Sequence, residues 1–220
     1  MPRQPVKAII FDMDGVITLT MPYHCRAWQK VFSGAGIHVS KLEIYAREGQ
    51  RGIHSVLEIF HAHGMTITST KAKILLREKE DLFKTIEKTP FVPGSRSFIK
   101  KYHQKGLKIA LVTGTARHEI HKILPKTLLD CFQVIVSGSD VRQGKPHPEP
   151  YRKALKALNI GREEAIVIEN APFGITSAKR AGIRCLAIET SLPKRYLKDA
   201  DHIVKDFSEL ETYIQRHYTL

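Results

Sequence analysis

Six polar residues at widely separated places carry the chemistry open to this chain: Asp12, Asp14, Thr113, Lys145, Glu169 and Asn170. The first two close an apolar run, Ala8-Ile9-Ile10-Phe11, and Gly15 follows them directly. Alone, Asp-x-Asp-Gly suits a solvated turn. It is not a calcium loop, which needs glycine sixth and glutamate twelfth. Counted from Asp12, those positions are Ile17 and Tyr23. Together the residues suit phosphoryl transfer. An aspartate such as Asp12 can attack phosphorus and form an aspartyl-phosphate. Magnesium held by oxygen ligands masks the repulsion between carboxylate and phosphate. The Thr113 hydroxyl and N–H groups near Gly114 can hold phosphate oxygens, and Lys145 can neutralise the group in transfer. Asp14 can protonate the leaving alkoxide and later deprotonate the attacking water.

These groups act together only if the fold gathers them. After Pro93-Gly94 the pattern alternates: a helix over 95–105, a strand over 107–112, a helix over 116–124, a strand over 132–136. A loop over 143–150 and a helix ending near Asn159 follow, then a strand over 165–168 and a helix over 173–181. Strands over 185–188 and 202–204 and a helix with Phe207, Leu210 and Ile214 complete the chain. Such alternation predicts an α/β fold, a doubly wound parallel sheet covered on both faces. Ligands of these sheets bind beyond the carboxyl ends of the strands. Asp12, Thr113 and Glu169-Asn170 fall just past such ends, and Lys145 lies in a loop after one. Taken singly, Thr113-Gly114-Thr115 and Glu169-Asn170 read better as helix starts. Lys145-Pro146-His147-Pro148 suits a rigid loop equally well and has the wrong glycine spacing for a Walker A loop. Their convergence on one edge is what favours chemistry.

An all-helical block interrupts the alternation. Tyr23, Ala27, Trp28, Val31, Phe32 and Ala35 recur at helical spacing up to Gly36. Further helices are expected over 41–47, 53–63 and 69–88, the last with Ile74, Leu75, Leu82, Phe83 and Ile86 on its apolar side. The block reads as an inserted helical cap over 20–90, on a discontinuous core of 1–19 and 91–220.

Composition narrows the partners. The chain has 220 residues, 42% of them hydrophobic, enough for a packed core. No apolar run reaches the length of a membrane helix, and no signal peptide is visible. Cys25, Cys131 and Cys185 lack zinc-ligand spacing and are expected as buried small hydrophobes in a reducing, cytoplasmic setting. The formal net charge of +13 suits an anionic small substrate or nucleic acid. Its basic residues are dispersed, and those over 71–88 read as a solvated helix face. A phosphate-bearing metabolite is therefore favoured over nucleic acid or a membrane, with a monomer or weak dimer expected.

At this point the chain resembles the haloacid dehalogenase-like superfamily of aspartate-dependent phosphotransferases. The resemblance rests on Asp12-Met13-Asp14-Gly15-Val16, Thr113, Lys145-Pro146 and Glu169-Asn170, in order over nearly the whole chain. Within it, Asp14-Gly15-Val16-Ile17-Thr18, Tyr23-His24 and Arg26-Ala27-Trp28 are similar to the β-phosphoglucomutase and sugar-phosphate phosphatase group. The resemblance implies Asp12 as nucleophile, Asp14 as acid/base, and phosphate contacts from Thr113, Gly114 and Lys145. It also implies magnesium held by Asp12, the backbone of Asp14, and Glu169-Asn170. His24, one turn before Trp28, is expected at the cleft mouth. Lys79 shares an inward face with Leu75 and Phe83, as a snorkelling side chain or, by resemblance, a substrate contact. Three departures stand out. Asn170 replaces the usual aspartate and removes one negative charge from the metal site, which predicts weaker metal affinity. Leu19 replaces an acidic residue of many relatives. In Gln50-Arg51-Gly52 the mutase arginine position is glycine, and Arg51 is the candidate substitute. A hydrolase of a small sugar phosphate is the expected function. A phosphosugar mutase and a non-catalytic phosphate binder are the alternatives.

Overall fold

The computed structural model describes residues 4–85 and 89–219. Strand β1 (Gln4–Pro5) precedes β2 (Ala8–Phe11). Helices α1 (Met21–Gly34), α2 (Lys41–Ala46), α3 (Gly52–Ala62) and α4 (Ser69–Phe83) then follow one another. From there the chain alternates. Helix α5 (Ser95–Gln104), β3 (Lys108–Val112), α6 (Arg117–Ile123), α7 (Lys126–Leu129) and β4 (Val134–Val136) form its first half. Helix α8 (Glu149–Leu158), β5 (Ala165–Glu169), α9 (Pro172–Arg180), β6 (Arg184–Ile188), β7 (His202–Val204), α10 (Phe207–His217) and β8 (Tyr218–Thr219) form its second.

Six strands make one parallel sheet in the order β4-β3-β2-β5-β6-β7. The order reverses about β2, and a crevice opens at the carboxyl ends of a sheet at such a point. Phe11 pairs with both Leu111 and Ile168. Asp12, Val112-Thr113 and Glu169 therefore leave the sheet at one level.

The apolar runs are explained by burial on two faces. Successive strand residues point to opposite sides. Ile9, Phe11, Ile109, Leu111, Ile166 and Ile168 pack with Phe98, Ile99, Phe207 and Leu210 of α5 and α10. Ala8, Ile10, Ala110, Val112 and Val167 pack with Tyr151, Ala154, Ile175 and Ala178 of α8 and α9. This is the doubly wound sheet expected from the sequence.

Helices α1 to α4 pack on one another, chiefly α4 against α1 and α3. A capping box between Ser40 and Glu43 starts α2. On α4 the inward stripe is Ala72, Leu75, Lys79 and Phe83. Ile74, expected on the apolar side, is 47% exposed because it falls outside that three-and-four spacing. The helix ends at Phe83 rather than 88, and Ile86 and Lys88 lie outside the described residues. Helix α7 and the β1–β8 pair were not anticipated, since elements of four and two residues carry no period. All three cysteines are buried and free, as expected. Among the described residues no helix is long and apolar enough to cross a membrane.

Candidate active site

Strand β2 delivers Asp12 at its carboxyl end, where the Asp12 N–H donates to Ile168 O at 3.0 Å. Lys145 enters from the loop after β4. Its Nζ lies 2.5 Å from Asp12 Oδ1, 2.6 Å from Glu169 Oε1 and 3.2 Å from Val112 O. Three acceptors thus meet the three protons of a lysine that is 2% exposed. Glu169 is itself fixed. Tyr151 Oη donates to its Oε1 at 2.9 Å, and the N–H groups of Asn170 and Ala171 donate to Oε2 at 2.9 and 3.3 Å. Burial pushes the Asp12 carboxyl above the usual carboxylate range. The Lys145 ammonium works against that rise, while Glu169 and Asp14 add to it. Burial also disfavours the Lys145 ammonium, but Asp12 and Glu169 hold it charged, above its ordinary value.

Asp14 faces a second network. Its Oδ1 accepts from Thr20 Oγ1 at 2.5 Å and from His24 Nε2 at 3.3 Å, and its Oδ2 accepts from Thr115 Oγ1 at 2.9 Å. With Nε2–H given to Asp14, His24 Nδ1 is left to accept from Lys79 Nζ at 2.8 Å. Phe83 stacks on the His24 ring at 3.9 Å, and the Lys79 ammonium lies 4.9 Å from the Phe83 ring and 5.4 Å from that of Trp28. Burial, then the Lys79 charge, depresses His24 below its ordinary value, in keeping with a ring whose Nδ1 accepts from an ammonium. Burial likewise lowers Lys79. Although burial opposes it, hydrogen bonds from His24, Thr20 and Thr115 hold the Asp14 carboxyl down at about 2. A line of contact thus runs from the core through α1 to α4.

Gly15 turns the chain away with φ +87°, and a Cβ there would lie 2.0 Å from Asn170 Nδ2. Glycine is required on both counts. Asn170 Nδ2 donates to Ser191 Oγ at 2.9 Å and to Glu48 Oε2 at 3.0 Å. Glu48, in the turn after α2, is buried. Burial and then the Asp12 and Asp14 carboxylates push its carboxyl well above the usual range. Asp12 Oδ2, Asn170 Oδ1 and Glu48 Oε1 are buried oxygens that no donor meets.

Thr113 is buried, and its Oγ1 accepts from Thr115 N at 3.0 Å. Gly114, Asp14, His24, Trp28, Arg51 and Lys79 line a cavity of about 290 Å³. Arg51 gives Nη1 to Arg142 O at 2.7 Å and so ties the start of α3 to the loop before Lys145. The structure therefore joins Asp12, Lys145 and Glu169 in one cluster, and Asp14, His24 and Lys79 in another. Of the predicted metal set, Asp12 and Asn170 each present a donor-free oxygen, whereas both oxygens of Glu169 and of the Asp14 side chain are engaged. Sequence reasoning missed Thr20, Thr115, Tyr151 and Glu48. Thr115 stood in a turn already singled out, and Thr20 stood just before a predicted helix. Nothing local marked Tyr151 or Glu48.

The parallel sheet with carboxylates and a lysine gathered at its central strand ends defines an α/β protein whose site lies at the carboxyl edge of the sheet. The family model of haloacid dehalogenase-like hydrolases matches residues 9–188, and the chain belongs to that family. It is 31% identical over 185 residues to a phosphorylated carbohydrates phosphatase of Thermotoga maritima, covering 81% of this chain and 82% of that protein. It is 28% identical over 214 residues to the β-phosphoglucomutase of Bacillus subtilis, covering 93% of this chain and 92% of that protein. The solved β-phosphoglucomutase of Clostridium difficile superposes with a TM-score of 0.85 at 26% identity, covering 97% of each chain.

Proposed function

We propose that the protein is a magnesium-dependent phosphomonoester hydrolase acting on a small sugar phosphate through an aspartyl-phosphate. The observation that carries this reading is the pairing of two differently held aspartates at one strand end: Asp12 on Lys145, and Asp14, which lines the cavity, on His24. The sugar phosphate is supported by the likeness to the Thermotoga maritima phosphatase. Among the described residues no three His, Cys, Asp or Glu side chains stand at metal-cage spacing. The donor set that fits magnesium is instead mixed: the free oxygens of Asp12 and Asn170, to which the family resemblance adds the Asp14 carbonyl. When bound there, magnesium would offset the charge between carboxylate and phosphate.

The residues divide the work. Asp12 attacks phosphorus, the bond to the leaving oxygen breaks, and Asp12 becomes the aspartyl-phosphate. Thr113 and the Gly114 backbone hold phosphoryl oxygens, and Lys145 exchanges its Asp12 Oδ1 contact for another once Asp12 has attacked. Asp14 takes up a proton as the anionic phosphate approaches and gives it to the leaving alkoxide. As a carboxylate it then accepts a proton from the water that attacks phosphorus and frees Asp12. Thr20, His24 and Thr115 fix its orientation through both steps.

A mutase is the alternative, kept by the likeness to two β-phosphoglucomutases. The commitment of Arg51 to Arg142 O, beside Gly52, favours the hydrolase, since a mutase must grip a second phosphate from the cap. The test is incubation with magnesium and a panel of sugar phosphates, following free phosphate and isomers together. Phosphate release is expected, with Asp12→Asn inactive. Isomer formation would make the protein a mutase. Ligand binding with neither product would make it a binder, and activity surviving in Asp12→Asn would overturn the nucleophile.

A further inference from the structure

Asn170 leaves the metal site one negative charge short, and the helical block offers a carboxylate at that spot. Glu48 lies on the turn after α2, far in sequence from β5, yet its Oε2 accepts from Asn170 Nδ2 at 3.0 Å. The side chain is 6% exposed. Ser191 Oγ takes the other Nδ2 proton at 2.9 Å, which fixes the amide and turns its oxygen the opposite way. Three acceptor oxygens are then buried without a donor: Asp12 Oδ2 from β2, Asn170 Oδ1 from the end of β5, and Glu48 Oε1 from the helical block. Buried acceptors of this kind are costly unless a proton donor or a cation meets them. Lys145 does not meet them, because Asp12 Oδ1, Glu169 and Val112 O already accept its protons.

We infer that Glu48 supplies from the helical block the carboxylate charge that Asn170 lacks, so that core and cap hold the divalent cation jointly. The inference rests on the reading that a cation binds beside Asp12. Two carboxylates then face the dication, as an aspartate at 170 would provide, but one of them is carried by a different part of the fold. Cation binding and docking of the cap on the core become linked. Whatever factor the docked cap adds to cation affinity, the cation returns to docking. Asn170 is also the residue that lets Glu48 approach, since its amide donates where an aspartate would repel. Adding the missing charge directly, by Asn170→Asp, therefore removes the contact that brings Glu48 in.

The test is calorimetric binding of magnesium, and separately manganese, to the full chain without substrate, in the wild type, Glu48→Gln, Asn170→Asp and the double variant. Trp28, the single tryptophan, lines the cavity from α1, so its fluorescence reads docking independently of turnover. Glu48→Gln is expected to weaken cation binding at least tenfold and to abolish the cation-induced change in Trp28 emission. The double variant, with the carboxylate moved back to the core, is expected to regain affinity within about threefold of wild type, but not the Trp28 response. Circular dichroism melts check that each variant folds. Unchanged affinity in a folded Glu48→Gln, or no recovery in the double variant, would overturn the inference while leaving the cation site intact. A wild type that binds neither cation would overturn the site itself, and the inference with it.

Discussion

Gly174 sits inside α9, where helix propensity and packing make opposite demands. By propensity alone, Gly174→Ala in a helix interior gains about 1 kcal/mol. The surroundings reverse the sign. An alanine Cβ would fall 1.7 Å from Glu169 Oε1 and 2.0 Å from its Cδ, far inside van der Waals contact. Glu169 cannot yield without loss, since its two oxygens accept from Lys145, Tyr151 and two backbone N–H groups. Breaking a buried, hydrogen-bonded ion pair costs roughly 3–5 kcal/mol. The net expectation is a loss of about 2–4 kcal/mol, large beside a total of roughly 5–15. For a chain of this length that is a fall of roughly 5–15 °C in Tm. Urea unfolding followed by far-ultraviolet circular dichroism measures the loss, with Gly34→Ala as control. Gly34 ends α1, and a Cβ there meets nothing within 4 Å, so its midpoint should hold or rise slightly. A Gly174→Ala midpoint equal to or above wild type would refute the view that Glu169 is locked in place as the support of Lys145.

Three further outcomes follow from the same contacts. Tyr151→Phe removes one donor from Glu169 Oε1 and should cost about 1–2 kcal/mol in urea titration, since the acceptor it leaves is charged. Gly49→Ala combines φ +75° with a Cβ 2.7 Å from Lys145 Cδ, so turnover should fall much further than Tm; equal losses in both would count against a contact on Lys145. Asp140 accepts from Ser137 N, Ser137 Oγ and Arg117 Nη2 at 2.8, 2.5 and 2.7 Å. Burial is the largest single effect and opposes them, but these bonds together outweigh it and lower the carboxyl from 3.8 to about 2. A depressed carboxyl stabilises the fold above its unfolded value and loses that contribution as pH falls through the folded one. Wild type should therefore exceed Asp140→Asn by about 1 kcal/mol at pH 5, after allowing for solvent screening. The gap should close between about pH 4 and 2 in urea titrations; a gap that does not change with pH would refute the assignment.

The sheet was legible because both its faces are buried. Strands such as β2 and β5, wholly buried, can only be written as apolar runs, and the polar residue that ends each run stands out. Asp12, Thr113 and Glu169 were visible for that reason, and Lys79 for its place on the stripe with Leu75 and Phe83. The partners of these residues were not legible. Thr20 and Thr115 meet on Asp14 across 95 positions, and Glu48 meets Asn170 across 122, through loop geometry that no local period encodes. The environment of Glu169 was hidden in the same way, because which donors reach its oxygens depends on where Lys145 and Tyr151 arrive.

These hidden contacts are also the ones that join the helical block to the core. His24, backed by Lys79, reaches Asp14 from one side, and Glu48 reaches Asn170 from the other. Gly49 bears on Lys145 between them, so the block touches the proposed acid/base directly and the proposed nucleophile through its lysine. Parting the block from the core would break both contacts at once. Asp14 would lose the His24 hydrogen bond that helps keep it ionised, and Asn170 would lose its carboxylate neighbour. Under the proposed function, the site is complete only with the two parts together, where a substrate would be shielded from water. On the inference drawn above, the departure at Asn170 then reads as a carboxylate charge carried by Glu48 of the block in place of one at position 170.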